Sequence, residues 1–215
     1  MKILENMRES TLIRTLETVY PNVDVEASLC SGTFYLKDDK ACQDGISKNV
    51  CEKDCNREVL RINTTGHLVS VRWEPFIAGK VQACDYIIFN ADGDLHRFAF
   101  CDLSCSLSRY VDNRNGKIGK REKVYNQLKS SWLFIKDEEN KALMLQIMTF
   151  RHKCGIFGWR EKKISIASSA GSSMSAFIAT PASTAGITCY RQYLFGEVFD
   201  FIQVKYPAVF QWDAD

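Results

Sequence analysis

No apolar run in this 215-residue chain is long enough to span a bilayer, and residues 1–10, MKILENMRES, lack the apolar core of a signal peptide. Both absences lead to the expectation of a soluble cytoplasmic protein with no membrane partner. Neither sign of charge dominates: 28 Lys and Arg against 26 Asp and Glu give a net charge of +2. That balance excludes a protein that coats nucleic acid by bulk charge alone. Histidine occurs three times, and His67, His96 and His152 lack ligand spacing. No Gly-rich phosphate loop, Ser-centred nucleophile elbow or internal repeat is present.

Cysteine, by contrast, is abundant, with nine residues. The odd number, the missing signal and the apolar surroundings of Cys84, Cys101 and Cys105 point to reduced thiols rather than a disulfide framework. Cys30, Cys42, Cys51 and Cys55 are candidate zinc ligands, because Cys51 and Cys55 have a spacing allowed for half of a tetrahedral thiolate site. The competing reading is a set of thiols that pack a loop-rich segment.

Length fits one domain over 1–215. Helical spacing of Ile3, Leu4, Met7, Ile13 and Leu16 predicts an amphipathic helix over 1–20, closed by Pro21. Residues 22–58 read as an irregular Cys-rich insertion with one short strand at TFYL. EVLRINT and HLVSVRWEPF, split by TG, read as a hairpin. The stretch 118–135 reads as a helix, KALMLQIMTF as a buried strand, and residues 165–186 as a mobile Ser/Ala/Gly-rich loop. Helix, strands, helix, strands predicts an α+β (mixed α/β) fold, a central mixed sheet flanked by helices.

The informative stretch is KVQACDYIIFNADGDLHRFAFCDLSCSLS, two β-prone runs around Asp-Gly. A turn centred on Asp92 and Gly93 makes the numbers of paired residues sum to about 185, so Asp85 faces Phe100. Asp85 and Asp102 then share one face as diagonal neighbours about 7–8 Å apart. Two carboxylates at that range can hold one hard cation such as Mg²⁺. The simpler reading gives Asp85 a backbone hydrogen bond and pairs Asp102 with Arg97 or Arg109.

An acid at the end of one strand, a second acid two residues before a polar residue on the next, and then a helix resemble the PD-(D/E)XK nuclease superfamily. Its core order is helix, three strands, helix, strand. The resemblance covers about residues 1–20 and 68–150, and implies a restriction-endonuclease-like core acting on DNA or RNA, with Asp85 and Asp102 holding Mg²⁺. It places Gln127 at the helical Gln that often follows the catalytic strand, and it offers Glu5, Glu9 or Glu17 as a further ligand. The family's lysine is replaced by Ser104, which carries no charge; Lys120 and Lys123 in the next helix are the candidates to supply it. The same resemblance implies a role in defence or nucleic-acid processing.

Two basic runs, 109–123 and 151–163, offer Arg109, Arg114, Lys117, Arg151, Lys153 and Arg160 to phosphates, with Phe157 and Trp159 beside the second run to stack bases. The alternative is a catalytically inactive nuclease-fold subunit that binds nucleic acid or a protein partner in a larger assembly.

Overall fold

The central strands are near-continuous apolar runs, because the sheet is buried on both faces. The structure, a computed structural model, describes residues 10–37, 50–51, 58–77, 79, 82–91, 95–106, 110–113, 115–161, 186–190 and 199–214. Helix α1 (Thr11–Val19) buries Leu12, Ile13 and Leu16 at helical spacing. Residues 1–9, including Glu5 and Glu9, lie outside the described residues.

Strand β1 (Ala27–Lys37) is longer than the expected TFYL, so this half of the 22–58 segment is regular rather than irregular. Strand β2 (Val50–Cys51) pairs with its end. Strand β3 runs unbroken from Glu58 to Arg72, where a hairpin was expected. Register against β1 jumps from Ser31↔His67 to Gly32↔Thr64, so Thr65 and Gly66 form a bulge instead of a turn. The carboxylate of Asp213 holds that bulge: the Thr65 N–H donates to Oδ2 at 2.6 Å, and the Thr65 and Thr64 hydroxyls reach it at 3.0 and 3.2 Å. A partner 148 residues away in sequence is invisible to local patterning.

After the short helix α2 (Glu74–Ile77), β4 (Tyr86–Asn90) and β5 (Arg97–Ser106) form the expected antiparallel hairpin. Helix α3 (Lys120–Lys136) follows and buries Val124, Leu128, Trp132 and Ile135. The expected strand at 142–150 is instead helix α4 (Lys141–Met148), with Leu143 and Ile147 buried and Leu145 and Met148 exposed. Ala, Leu, Met and Gln are strong helix formers, and an apolar run this short does not distinguish a strand from a buried helix by period alone. The strand comes next, as β6 (His152–Glu161), inside the segment read from sequence as a basic loop. Strands β7 (Ile187–Tyr190), β8 (Asp200–Lys205) and β9 (Val209–Gln211) complete the described elements. Residues 165–185 of the Ser/Ala/Gly-rich stretch lie outside the described residues.

The strands form one mixed sheet in the order β2-β1-β3-β4-β5-β6-β8-β7, with β9 on the first half of β3. β3, β4 and β5 are antiparallel; β5, β6 and β8 are parallel. The α+β class is as expected. One face carries α1, α3 and α4 over Ile87, Phe89, Phe98, Phe100 and Phe157. The other is covered by the sheet itself: β1, the first half of β3 and β9 fold across β5, β6 and β8. A Cβ at Gly158 of β6 would stand 2.9 Å from the Leu60 Cβ of β3 and 2.8 Å from Leu103 Cδ2, so only glycine allows this approach.

Candidate functional site

The hairpin register places the two acids. Tyr86 pairs with Cys101 and Ile87 with Phe100, so paired numbers sum to 187 rather than 185. The difference has a physical source at the other end of the hairpin. Asn90 Oδ1 accepts the Arg97 N–H at 3.1 Å, while the carbonyls of Leu95 and His96 accept from Arg151 and His152 at 2.8 Å. Residues 95 and 96 are thereby drawn to β6, and the connection is longer than the turn at Asp92 and Gly93 implied; residues 92–94 themselves lie outside the described residues. A shift of two preserves which face each side chain occupies.

Continued one step, the register sets Asp85 directly opposite Asp102 rather than diagonal to it. Asp85 has the parity of Ile87 and Phe89, and Asp102 that of Phe98 and Phe100; all four apolar residues belong to the helix-bearing core. Asp85 lies just outside β4, half-buried, with its carbonyl turned to β3, where it accepts the Trp73 N–H at 2.8 Å. Its carboxylate turns the other way and accepts the Leu103 N–H at 2.7 Å, extending the β4–β5 ladder by one bond. Asp102 is 2% exposed.

Ser104, in the place the resemblance gives to lysine, is also 2% exposed, and its hydroxyl lies 2.9 Å from that of Ser106. Gln127 on α3 donates to the Ala83 carbonyl at 3.2 Å. One turn on, Ser131 accepts the Cys84 N–H at 2.9 Å. These bonds tie α3 to the segment that carries Asp85. The thiols of Cys84 and Cys101 are fully buried beside the acids; burial first, then the negative field of Asp102 and Asp85, pushes both well above the ordinary thiol range.

At the C-terminal end of β5 the sheet opens into a cavity of about 790 Å³ lined by Ser106, Tyr110, Asp112, Asn115, Lys117, Ile118, Gly119, Lys120 and Lys123. The structure thus brings Lys120 and Lys123 together with Lys117, and sets all three at the end of the Asp102–Ser104–Ser106 row. Neither Asp85 nor Asp102 is among the residues described as lining it. The lining loop is pinned: Gly119 donates to Asn113 Oδ1 at 2.7 Å and Arg121 to the Val111 carbonyl at 3.0 Å. Tyr110, Ile118 and Asn115 were not singled out in the sequence; the signal available was a polar basic stretch immediately after a buried strand.

The second basic run does not form a patch. Arg151 and Lys153 sit at the start of β6, opposite the Arg97 and Phe98 end of β5, where Lys153 donates to the Phe150 carbonyl at 2.6 Å. Arg160 is at the other end, against the Tyr206 ring at 4.4 Å, with the parity of Ile156 on the sheet-covered face. Phe157 and Trp159 are buried, so neither ring is open to a base. Arg97 is not the partner of Asp102: its guanidinium bonds the Ala214 carbonyl at 2.5 Å and lies over Phe210 and Trp212. Arg109 and Arg114 lie outside the described residues, and Glu17 is exposed on α1.

The zinc set is not one site. Cys30 faces Leu68 and the Cys51 backbone faces Tyr35, five positions along β1. That is about 16 Å of strand, beyond the span of one tetrahedral thiolate ion. Cys42 and Cys55 lie outside the described residues. His96 and His152, scattered in sequence, meet with ring centroids 4.9 Å apart.

Among the described residues no group of three or more His, Cys, Asp or Glu stands ready to hold a metal. Two carboxylates on neighbouring segments would suit a cation that completes its shell with water, as Mg²⁺ does. No family model matches the chain, and neither the curated proteins nor the solved structures contain a match to it.

Proposed function

We propose that the protein acts on nucleic acid as a PD-(D/E)XK-like nuclease, with Asp85 and Asp102 as the ligands of a Mg²⁺ ion. What supports this reading is the β4–β5 register, which brings the segment of Asp85 beside the part of β5 that carries Asp102, where the Asp85 carboxylate accepts the Leu103 N–H. The element order supports it: α1, the antiparallel strands β3, β4 and β5, α3, and then β6 parallel to β5. A cation bound there would supply positive charge to a scissile phosphate and acidify a coordinated water. The chain's own contribution is to hold Asp85 through the Leu103 N–H and to anchor its segment through Gln127 and Ser131. Lys120 and Lys123 are the cations that would stand in for the lysine replaced by Ser104. Cys84 and Cys101, buried as thiols, support a reducing, cytoplasmic setting.

A second reading is favoured by Ser104 and by the 2% exposure of Asp102: the fold binds nucleic acid, or a protein partner, without cleaving. One experiment separates the two. Labelled DNA and RNA are incubated with Mg²⁺ or Mn²⁺ and either the protein, an Asp85→Ala/Asp102→Ala variant, or the isosteric Asp85→Asn/Asp102→Asn variant. Cleavage lost in both variants supports the nuclease. Absence of cleavage with retained binding supports the second reading.

A further inference from the structure

The cavity beyond β5 combines three features that the acid pair does not explain. It is cationic: Lys117, Lys120 and Lys123 line it, and among the described residues none of them makes an ion pair. The one carboxylate among its described lining residues, Asp112, is neutralised by a salt bridge to the Arg121 guanidinium, which Gln203 Oε1 holds in place at 2.7 Å. It is also aromatic at its rim, where Tyr110 is 57% exposed beside Ile118 at 53%. And it is concave, with a volume in the range that encloses a small organic ligand.

A concave site with cations inside and an exposed ring at its edge matches an unpaired nucleotide. Phosphate oxygens meet the ammonium groups, and the base lies on a π-face that is indifferent to sequence. A duplex presents its phosphates on a stiff convex surface and keeps its bases stacked inside, so it can neither enter the cavity nor offer a ring to Tyr110. Ser106, in the cavity lining, follows Asp102 by four residues, about 13 Å along β5.

We infer that this cavity is a docking site for single-stranded nucleic acid, with Tyr110 as the stacking platform and Lys117, Lys120 and Lys123 as the phosphate contacts. The inference rests on the nucleic-acid reading above and adds the strand state of the ligand. Tyr110 and Lys117 come from a loop whose backbone is fixed by Asn113 and Val111 and whose closest approach, Gly119 against the Asp112 backbone, leaves no room for a Cβ; Lys120 and Lys123 come from the first turn of α3.

The test is fluorescence anisotropy with the full chain, a labelled oligothymidine and a duplex of equal length, in chelator so that no cleavage intervenes. The single strand is expected to bind at least about tenfold tighter than the duplex, and Tyr110→Ala to weaken it by about tenfold while Tyr110→Phe does not. Replacing Lys117, Lys120 and Lys123 by Ala should lower the slope of log affinity against log salt by about 2. Equal or tighter duplex binding, or an unchanged affinity in Tyr110→Ala, overturns the inference. Failure of cleavage with this pattern intact removes the nuclease and leaves the docking site; cleavage insensitive to Tyr110→Ala and Lys117→Ala does the reverse.

Discussion

The carboxylate of Asp85 stands 2.7 Å from the Leu103 backbone nitrogen, on the strand that also carries Asp102. One side chain therefore closes a ladder and, in the reading proposed above, holds a metal. A residue with both duties can be dissected, because an amide preserves the acceptor and removes the charge.

Asp85→Ala is expected to lower stability by about 1–2 kcal/mol, because the Leu103 N–H loses its acceptor, while Asp85→Asn costs less. Urea unfolding measures the difference. Both substitutions should abolish any Mg²⁺-dependent cleavage. Equal destabilisation by the two would show that the hydrogen bond contributes nothing.

Asn90 is a second hinge of the hairpin. Its Oδ1 accepts both the Arg97 N–H at 3.1 Å and the Trp212 indole N–H at 2.8 Å, and Trp212 is fully buried. Asn90→Ala leaves two buried donors unpaired, a loss of about 2–4 kcal/mol. Trp fluorescence during denaturation should report an earlier transition. Asn90→Asp, which keeps the acceptor, should lose less if its charge is tolerated beside Arg97.

Gly158→Ala places a methyl group against Leu60 and Leu103, and the Leu60 Cβ cannot swing away. The expected cost is about 1–3 kcal/mol, read as a lowered urea midpoint. Adding Leu103→Ala to Gly158→Ala should recover little, since the contact with Leu60 remains. Full recovery would place the clash on Leu103 alone.

Asp213 links stability to pH. Its partial burial raises the carboxyl pKa, but the bonds from Thr65 and Thr64 and the neighbouring His96 outweigh that and hold it below the usual 3.8. A depressed folded value stabilises the fold fully above the ordinary aspartate range and loses that contribution as pH falls below it. The urea midpoint should therefore drop between about pH 5 and pH 2, and more shallowly in Asp213→Asn, with exposure keeping the difference small. Identical profiles would mean that the bulge does not depend on this carboxylate.

Much of the fold was legible from local pattern. Alternation along β5 and the Asp-Gly between two apolar runs fixed the hairpin, and the period of Val124, Leu128, Trp132 and Ile135 fixed α3. That the Asp85 segment lies beside the Asp102 strand was also legible, although the register differs by two from the one the turn implied. Elsewhere the same signals failed for identifiable reasons. Thr65-Gly66 looks like a turn, and it becomes a bulge because Asp213 arrives from the far end of the chain. KALMLQIMTF is apolar enough for either state, and packing under α1 favours the helix.

What the sequence determined by itself is which side chains share a face, since that depends only on the two-residue period of a strand and the turn of a helix. Tertiary structure alone decided which residues stand opposite one another and where the sheet leaves an open space. Those outcomes depend on hydrogen-bond partners far apart in the chain: His96 and Leu95 with β6, Asp213 with β3, and Leu60 against Gly158. The acid pair belongs to the first kind of information. The lysine-lined cavity belongs to the second.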